Sequence, residues 1–130
     1  MNDLPNDFCE KILALDDSIR FAAIMDRSEQ IIMQATRKNI QLLLPKDVRE
    51  FSLKTAAERM RARILLRPYI GKPLYSITVY QKITRVTIPL EGKYYILAVS
   101  MDNNAKYESI LKYKLLPFLQ KYNIIESTLV

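Results

Sequence analysis

Apolar residues recur along this chain with two different periods, and the changes between them divide it into elements. Phe8, Ile12 and Leu15 are spaced as on a helix, with Cys9 and Leu13 beside them. Pro5 suits a first helical turn and Asp3 is placed to cap it, so a short helix is expected over 5–15. Residues 19–25 are apolar at both parities, Ile19, Phe21, Ala23 and Met25 on one side and Ala22 and Ile24 on the other. Such a strand is covered on both faces. Asp26-Arg27-Ser28-Glu29 supplies turn chemistry, and residues 30–35 give a second strand. The pattern predicts a β-hairpin with one strand central in a sheet.

A polar connection leads to Pro45, which biases Leu44 towards an extended backbone. A helix is then expected over 47–68. Leu53, Ala57, Met60 and Ile64 share a narrow sector of it, with Ala56 beside them. Arg59, Arg63 and Arg67 form an i, i+4, i+8 stripe on one flank, and Lys54 and Arg61 sit on the other. Leu65 and Leu66 fall outside the apolar face. Pro68 and Gly71-Lys72-Pro73 stop the helix. Beyond it, Tyr75, Ile77 and Val79 alternate on odd positions, whereas Val86, Ile88 and Leu90 alternate on even ones. A regular strand keeps its faces, so this switch requires a turn or a bulge near Gln81–Thr84. Glu91-Gly92 marks a further turn, and residues 93–100 a last strand apolar at both parities. Asp102-Asn103-Asn104 reads as a cap cluster for a final helix over 104–122. Pro117 lies inside that helix and predicts a kink or interruption.

Composition narrows the class. With 130 residues, 49% of them apolar and 26% charged, the chain fits one globular domain spanning 1–130. Its single cysteine cannot form an internal disulfide. The N-terminus has no basic region of the signal-peptide kind, and no apolar run approaches the ~20 residues of a bilayer span. A cytoplasmic protein without a membrane span is expected. The net charge of +6 is uneven. Residues 1–29 hold seven acids and three bases, and residues 30–130 hold the other seven acids and 17 bases. Such asymmetry suits an acidic or otherwise anionic partner.

Candidate chemistry is sparse. The chain has no histidine, which removes the commonest general base and metal ligand. Cys9 would lack an imidazole partner and is read as a small buried residue. Asp16, Asp17, Asp26 and Asp102 stand at element ends, where turn and capping roles outweigh cation binding. Two glycines cannot build a phosphate-binding loop. An enzyme is not expected, nor is a cofactor. Nucleic-acid binding by the basic 47–68 helix is an alternative: 20 Lys and Arg accompany 8 Tyr and 4 Phe. Most of those aromatics, however, sit at apolar phases, and no RNP-type aromatic string is present. Arg59, Arg63 and Arg67 are the candidate patch for an anionic partner, their stems along the helix edge and their heads in water. A second alternative is a small-molecule sensor, with Ala22, Ala23 and Ala98 leaving room on central strands.

The element order is α-β-β-α-β-β-β-α, an α+β arrangement with an antiparallel sheet of about five strands and helices packed over it. This order resembles the roadblock (dynein light chain 7) fold of the profilin-like and PAS-like group. The strings "IRFAAIMDRS", "AAERMRARILL", "GKPLYSITVYQKITRVTIPL" and "YYILAVSMD" also look like a group of small archaeal proteins. The roadblock resemblance implies a homodimer in which the middle helix and an edge strand meet their copies across a two-fold axis. It also implies a role as an adaptor, or as a platform regulating small GTPases. Carried onto this chain, the contacts fall on Leu65, Leu66, Tyr75, Ile77, Val79 and Tyr80.

Overall fold

Three strands buried on both faces set the architecture of this computed structural model, which describes residues 4–125. They are β1 (Ile19–Met25), β4 (Ile83–Pro89) and β5 (Ile96–Asp102). The half-covered strands β2 (Ile31–Thr36) and β3 (Ser76–Val79) form the edges. The strand order is β2-β1-β5-β4-β3, antiparallel throughout. Ala23 stands opposite Gln34 and Ala98, and Val86 opposite Ile77 and Val99.

A sheet apolar on both sides needs cover on both sides. One face carries α1 (Phe8–Leu13) and the C-terminal helix, burying Phe8, Ile12, Ile24, Ile88, Leu97 and Leu115. The rings of Phe8, Phe118 and Tyr122 meet there at 5.2–5.4 Å. The other face carries α2 (Lys46–Ile64), whose Leu53, Ala57 and Met60 pack with Phe21, Ala23, Met25, Ile96 and Ala98. The room that Ala23 and Ala98 leave is therefore filled by α2. Ala22 is buried in the cluster on the opposite face.

The parity switch resolves into two strands. Tyr80 N–H donates to the Ile83 carbonyl at 2.8 Å, closing a tight turn between β3 and β4. Val86, Ile88 and Leu90 then share one face, in the cluster under α1 and the C-terminal helix. The turn at 26–29 is also as expected. Asp26 Oδ1 accepts from the backbone N–H groups of Ser28 (2.8 Å) and Gln30 (3.0 Å), a side-chain mimic of a backbone turn.

Several boundaries differ from the sequence reading. The first helix spans Phe8–Leu13 rather than 5–15, and Pro5 precedes it, its carbonyl accepting from Phe8 N–H at 3.1 Å. The capping role expected of Asp3 lies outside the described residues. The last strand begins at Ile96, not 93, because Tyr94 takes φ 62° and breaks the extended run. It continues to Asp102, which is thus a strand end and no helix cap. Its carboxylate accepts from Arg20 (2.9 Å) and Arg37 (3.3 Å). The C-terminal helix spans α4 (Tyr107–Ile110), a π segment (Leu111–Leu115) and α5 (Leu116–Gln120). Leu116 N–H reaches back five residues to the Leu111 carbonyl. This wide turn sits just ahead of Pro117, which has no N–H to give and whose ring collides with a regular helix.

Candidate functional site

The helix expected over 47–68 breaks at Ile64, and the break decides where its basic and apolar residues go. Pro68 lacks an N–H, and its ring would strike the Ile64 carbonyl in a continuous helix. The last turn tightens instead, Leu66 N–H bonding the Arg63 carbonyl at 3.0 Å. Pro68 then starts a separate turn, α3 (Arg67–Ile70), closed by Gly71 at φ 84°. The arginine stripe is split accordingly. Arg59 and Arg63 line a groove between α2 and the β3–β4 hairpin. Arg67 joins Arg61 at a different cleft, beside Leu74 and Tyr94. The expected three-arginine patch is thus two residues.

Between α2 and the β3–β4 turn the chain turns its apolar side chains outward. Leu65 is 77% exposed, Ile70 79% and Val79 61%, and Leu66, Tyr75 and Tyr80 are exposed as well. Tyr69, the most exposed of this run, and Leu74 were not singled out by the sequence pattern. Of the six expected contact residues, Ile77 differs. It is half-buried and packs against the core under α1 and the C-terminal helix. Tyr80 instead faces the α2 groove. Tyr75 lies just ahead of β3, which is the free end of the sheet order. An edge strand presents unpaired backbone groups and can accept another strand.

The groove beside α2 encloses about 750 Å³. Val48, Phe51 and Ala56 form one wall, and Ser76, Thr78 and Tyr80 of the hairpin the other. Its floor contains Arg85, only 7% exposed, whose Nη1 donates to Ser52 Oγ at 2.6 Å. Sequence reasoning passed over Arg85 because Arg85 and Thr87 form the polar parity of β4, which reads as a solvated face. The available signal was the strand order. β4 lies inside the sheet, and the face its polar parity takes is the one α2 partly covers.

Similarity to known proteins is confined to structure. No family model matches the chain, and no curated protein resembles it in sequence. The Roadblock/LC7 domain from Streptomyces avermitilis matches with a TM-score of 0.69 and 11% identity, over 94% of this chain and 96% of that one. The chain has the roadblock fold. MglB from Myxococcus xanthus gives 0.68 at 16% identity, covering 90% and 89% of the two chains. The gliding protein MglB from Thermus thermophilus gives 0.65 at 14%, covering 93% and 87%. These structures lend no support to the archaeal likeness of the local strings.

On this roadblock fold the remaining chemically capable groups are dispersed. Cys9 is buried in α1. Burial, with the nearby Glu10 charge adding to it, pushes its thiol up to about 12. Asp16 accepts from Lys114 at 2.6 Å and from both the hydroxyl and the backbone N–H of Ser18, and these bonds hold its carboxyl down at about 2. Asp26 is occupied by its turn and Asp102 by two arginines. Asp17 is exposed. Among the described residues no three acidic or thiol groups are placed to hold a metal ion, and no helix is long and apolar enough to cross a membrane.

Proposed function

We propose that the chain is a non-catalytic, dimeric adaptor or regulatory domain of the cytoplasm, acting as one domain over residues 1–130 through contacts with other proteins. The observation that carries this reading is the exposed apolar run from Leu65 to Tyr80, which includes the edge strand β3. Large exposed apolar surface on a soluble domain marks a contact site. Pairing of β3 with its copy would continue the sheet across a two-fold axis and cover Leu65, Leu66 and Val79. An MglB of the same fold is described with a tetrameric arrangement, which supports reading the fold as one that assembles. The lack of histidine and the burial of Cys9 favour a non-catalytic role.

Nucleic-acid binding ranks lower, because the arginine stripe it needs is divided between two clefts. A small-molecule sensor ranks lower too, since α2 fills the space over Ala23 and Ala98. Sedimentation of the full chain tests the dimer. A dimer at micromolar concentration is expected, and a monomer persisting at high micromolar concentration removes the proposal.

A further inference from the structure

The turn after the C-terminal helix delivers the chain to one place. Asn123 takes φ 56°, the left-handed form in which asparagine can close a helix. Ile124 is then fully buried, and its carbonyl accepts from Glu91 N–H at 2.8 Å, which ties it to the β4–β5 connection. Ile125 follows, buried, and lines a cleft of about 360 Å³ between the end of α2 and that connection. Ile64, Leu90 and Ile96 give the cleft an apolar floor, and Leu74 and Tyr94 are exposed at its rim. Its charges are one-sided. Arg61, Arg67 and Lys72 line it against a single described acid, Glu91. Arg61 is held by Glu29 and Lys72 by Glu91, whereas Arg67 is exposed and pairs with no described carboxylate.

An apolar cleft ringed by bases suits a segment that is both apolar and acidic. The next five residues in sequence, Glu126-Ser127-Thr128-Leu129-Val130, have that composition. We infer that residues 126–130 occupy this cleft, with Glu126 facing its basic rim and Leu129 and Val130 covering its apolar floor, so that the chain masks the cleft with its own residues. Position, reach and charge each favour this occupant. The segment starts at the cleft, because Ile125 is part of its wall. Five extended residues reach about 17 Å, enough to cross it. The segment carries one acid and no base, opposite to the excess of the cleft. Tethering also gives it an effective concentration on the order of millimolar, so weak contacts suffice. None of the six residues assigned to the proposed dimer, Leu65, Leu66, Tyr75, Ile77, Val79 and Tyr80, lines the cleft, so the inference does not depend on the dimer. A partner segment with an acid beside apolar residues would have to displace residues 126–130 before it could bind there.

Methyl NMR of the full chain tests this. Nuclear Overhauser contacts are expected from the Leu129 or Val130 methyls to Ile64, Leu74, Ile96 or the Tyr94 ring. Their absence overturns the inference. So do contacts seen only between isotopically distinct copies in a mixed sample, which place the segment in the cleft of a second chain. A second measurement uses a chain ending at Ile125, which keeps every residue of the two core clusters. An acetylated peptide of residues 126–130, added in trans, should shift the cleft methyls of this shortened chain and leave those of the full chain in place. The Leu129→Ala peptide should bind about tenfold more weakly, having lost most of an apolar side chain. The Glu126→Gln peptide should bind about threefold more weakly, having lost an exposed ion pair. Equal shifts in the full and shortened chains, shifts at a different surface, or equal binding by both peptide variants overturn the inference. Sedimentation of the wild type decides the dimer separately, so either proposal can fail alone.

Discussion

Arg61 holds Glu29 across 32 positions of sequence, its Nε donating to Glu29 Oε1 at 2.7 Å. The same guanidinium donates from Nη2 to the backbone carbonyls of Asp26 (2.5 Å) and Tyr94 (3.0 Å). One side chain thus pins α2 to the β1–β2 turn and to the β4–β5 connection. Glu29 and Tyr94 both take positive φ, near 60°, a backbone form that side chains other than glycine adopt reluctantly. The polar island Asp26-Arg27-Ser28-Glu29 is therefore part of a clamp, and Arg27 reinforces it by stacking over the Tyr94 ring at 4.9 Å. The clamp matters because α2 buries only Leu53, Ala57 and Met60. At about 1.5–3 kcal/mol for each large side chain, Leu53 and Met60 are a modest anchor for a helix of 19 residues.

Arg61→Met should then cost about 2 kcal/mol of unfolding free energy, since a half-buried carboxylate and two carbonyls lose a charged donor. Arg59→Gln should change stability by less than about 0.5 kcal/mol, because its head is exposed. Urea denaturation of both variants measures the contrast. Equal effects would mean that the clamp contributes nothing beyond an ordinary surface charge.

The strands were the most legible part of the chain. A run apolar at both parities identified β1 as buried on both faces, and the shift from Val79 to Val86 located a turn without any Gly, Pro or Asn to mark it. Helix ends were less legible. Leu65, Leu66 and Arg67 continue the helical spacing, and only the geometry of Pro68 moves the break to Ile64. The apolar side of the candidate site was visible as leucines off the core sector. Its charged floor was not, because whether Arg85 meets solvent or Ser52 depends on which helix covers which face.

Gly71 should resist substitution for a backbone reason alone. It takes φ 84° and ψ 169°, a region essentially reserved for glycine, and a Cβ there would meet no atom within 4 Å. Gly71→Ala should cost about 1–3 kcal/mol by strain without any clash. Thermal unfolding measures the loss. A neutral substitution would show that the turn after α3 relaxes freely.

Cys9 should be inert in the folded protein. Its thiol lies in the core under α1, with a pKa pushed to about 12, so almost no thiolate exists near neutral pH. Modification by a thiol reagent should therefore follow the opening of the fold and accelerate in step with added urea. Fast labelling in native buffer would place Cys9 in a mobile N-terminal segment instead.

Asp16 ties the loop after α1 to Lys114 in the π segment, and its carboxyl is depressed to about 2 from an ordinary value of 3.8. A depressed carboxyl stabilises the fold fully above its unfolded pKa, and that contribution is lost as pH falls through the folded pKa. The relevant window is thus between about pH 4 and about pH 2. Lys114→Met removes the largest cause of the depression, so Asp16 should titrate closer to 3.8. Carboxyl NMR titration reads this directly, and an unmoved Asp16 would assign the depression to Ser18.

The proposed dimer makes the sharpest demand on Leu66. In the monomer this side chain is 49% exposed, so Leu66→Asp puts a carboxylate where water reaches it and should leave fold and Tm nearly unchanged. In a dimer built on α2 and β3 the same carboxylate would be buried without a partner, which costs several kcal/mol per charge. The variant should sediment as a folded monomer under conditions where the wild type is a dimer. The wild-type Tm should also rise with protein concentration, because association stabilises only the folded form, and this dependence should vanish in the variant. Val79→Lys should act in the same direction by placing a charge on the β3 edge, a device that blocks strand pairing. Arg27→Gln, in the β1–β2 turn at the other end of the strand order from β3, should leave the dimer intact. If Leu66→Asp still dimerises while Val79→Lys does not, the contact is carried by the strand edge, and the leucines after α2 serve another partner.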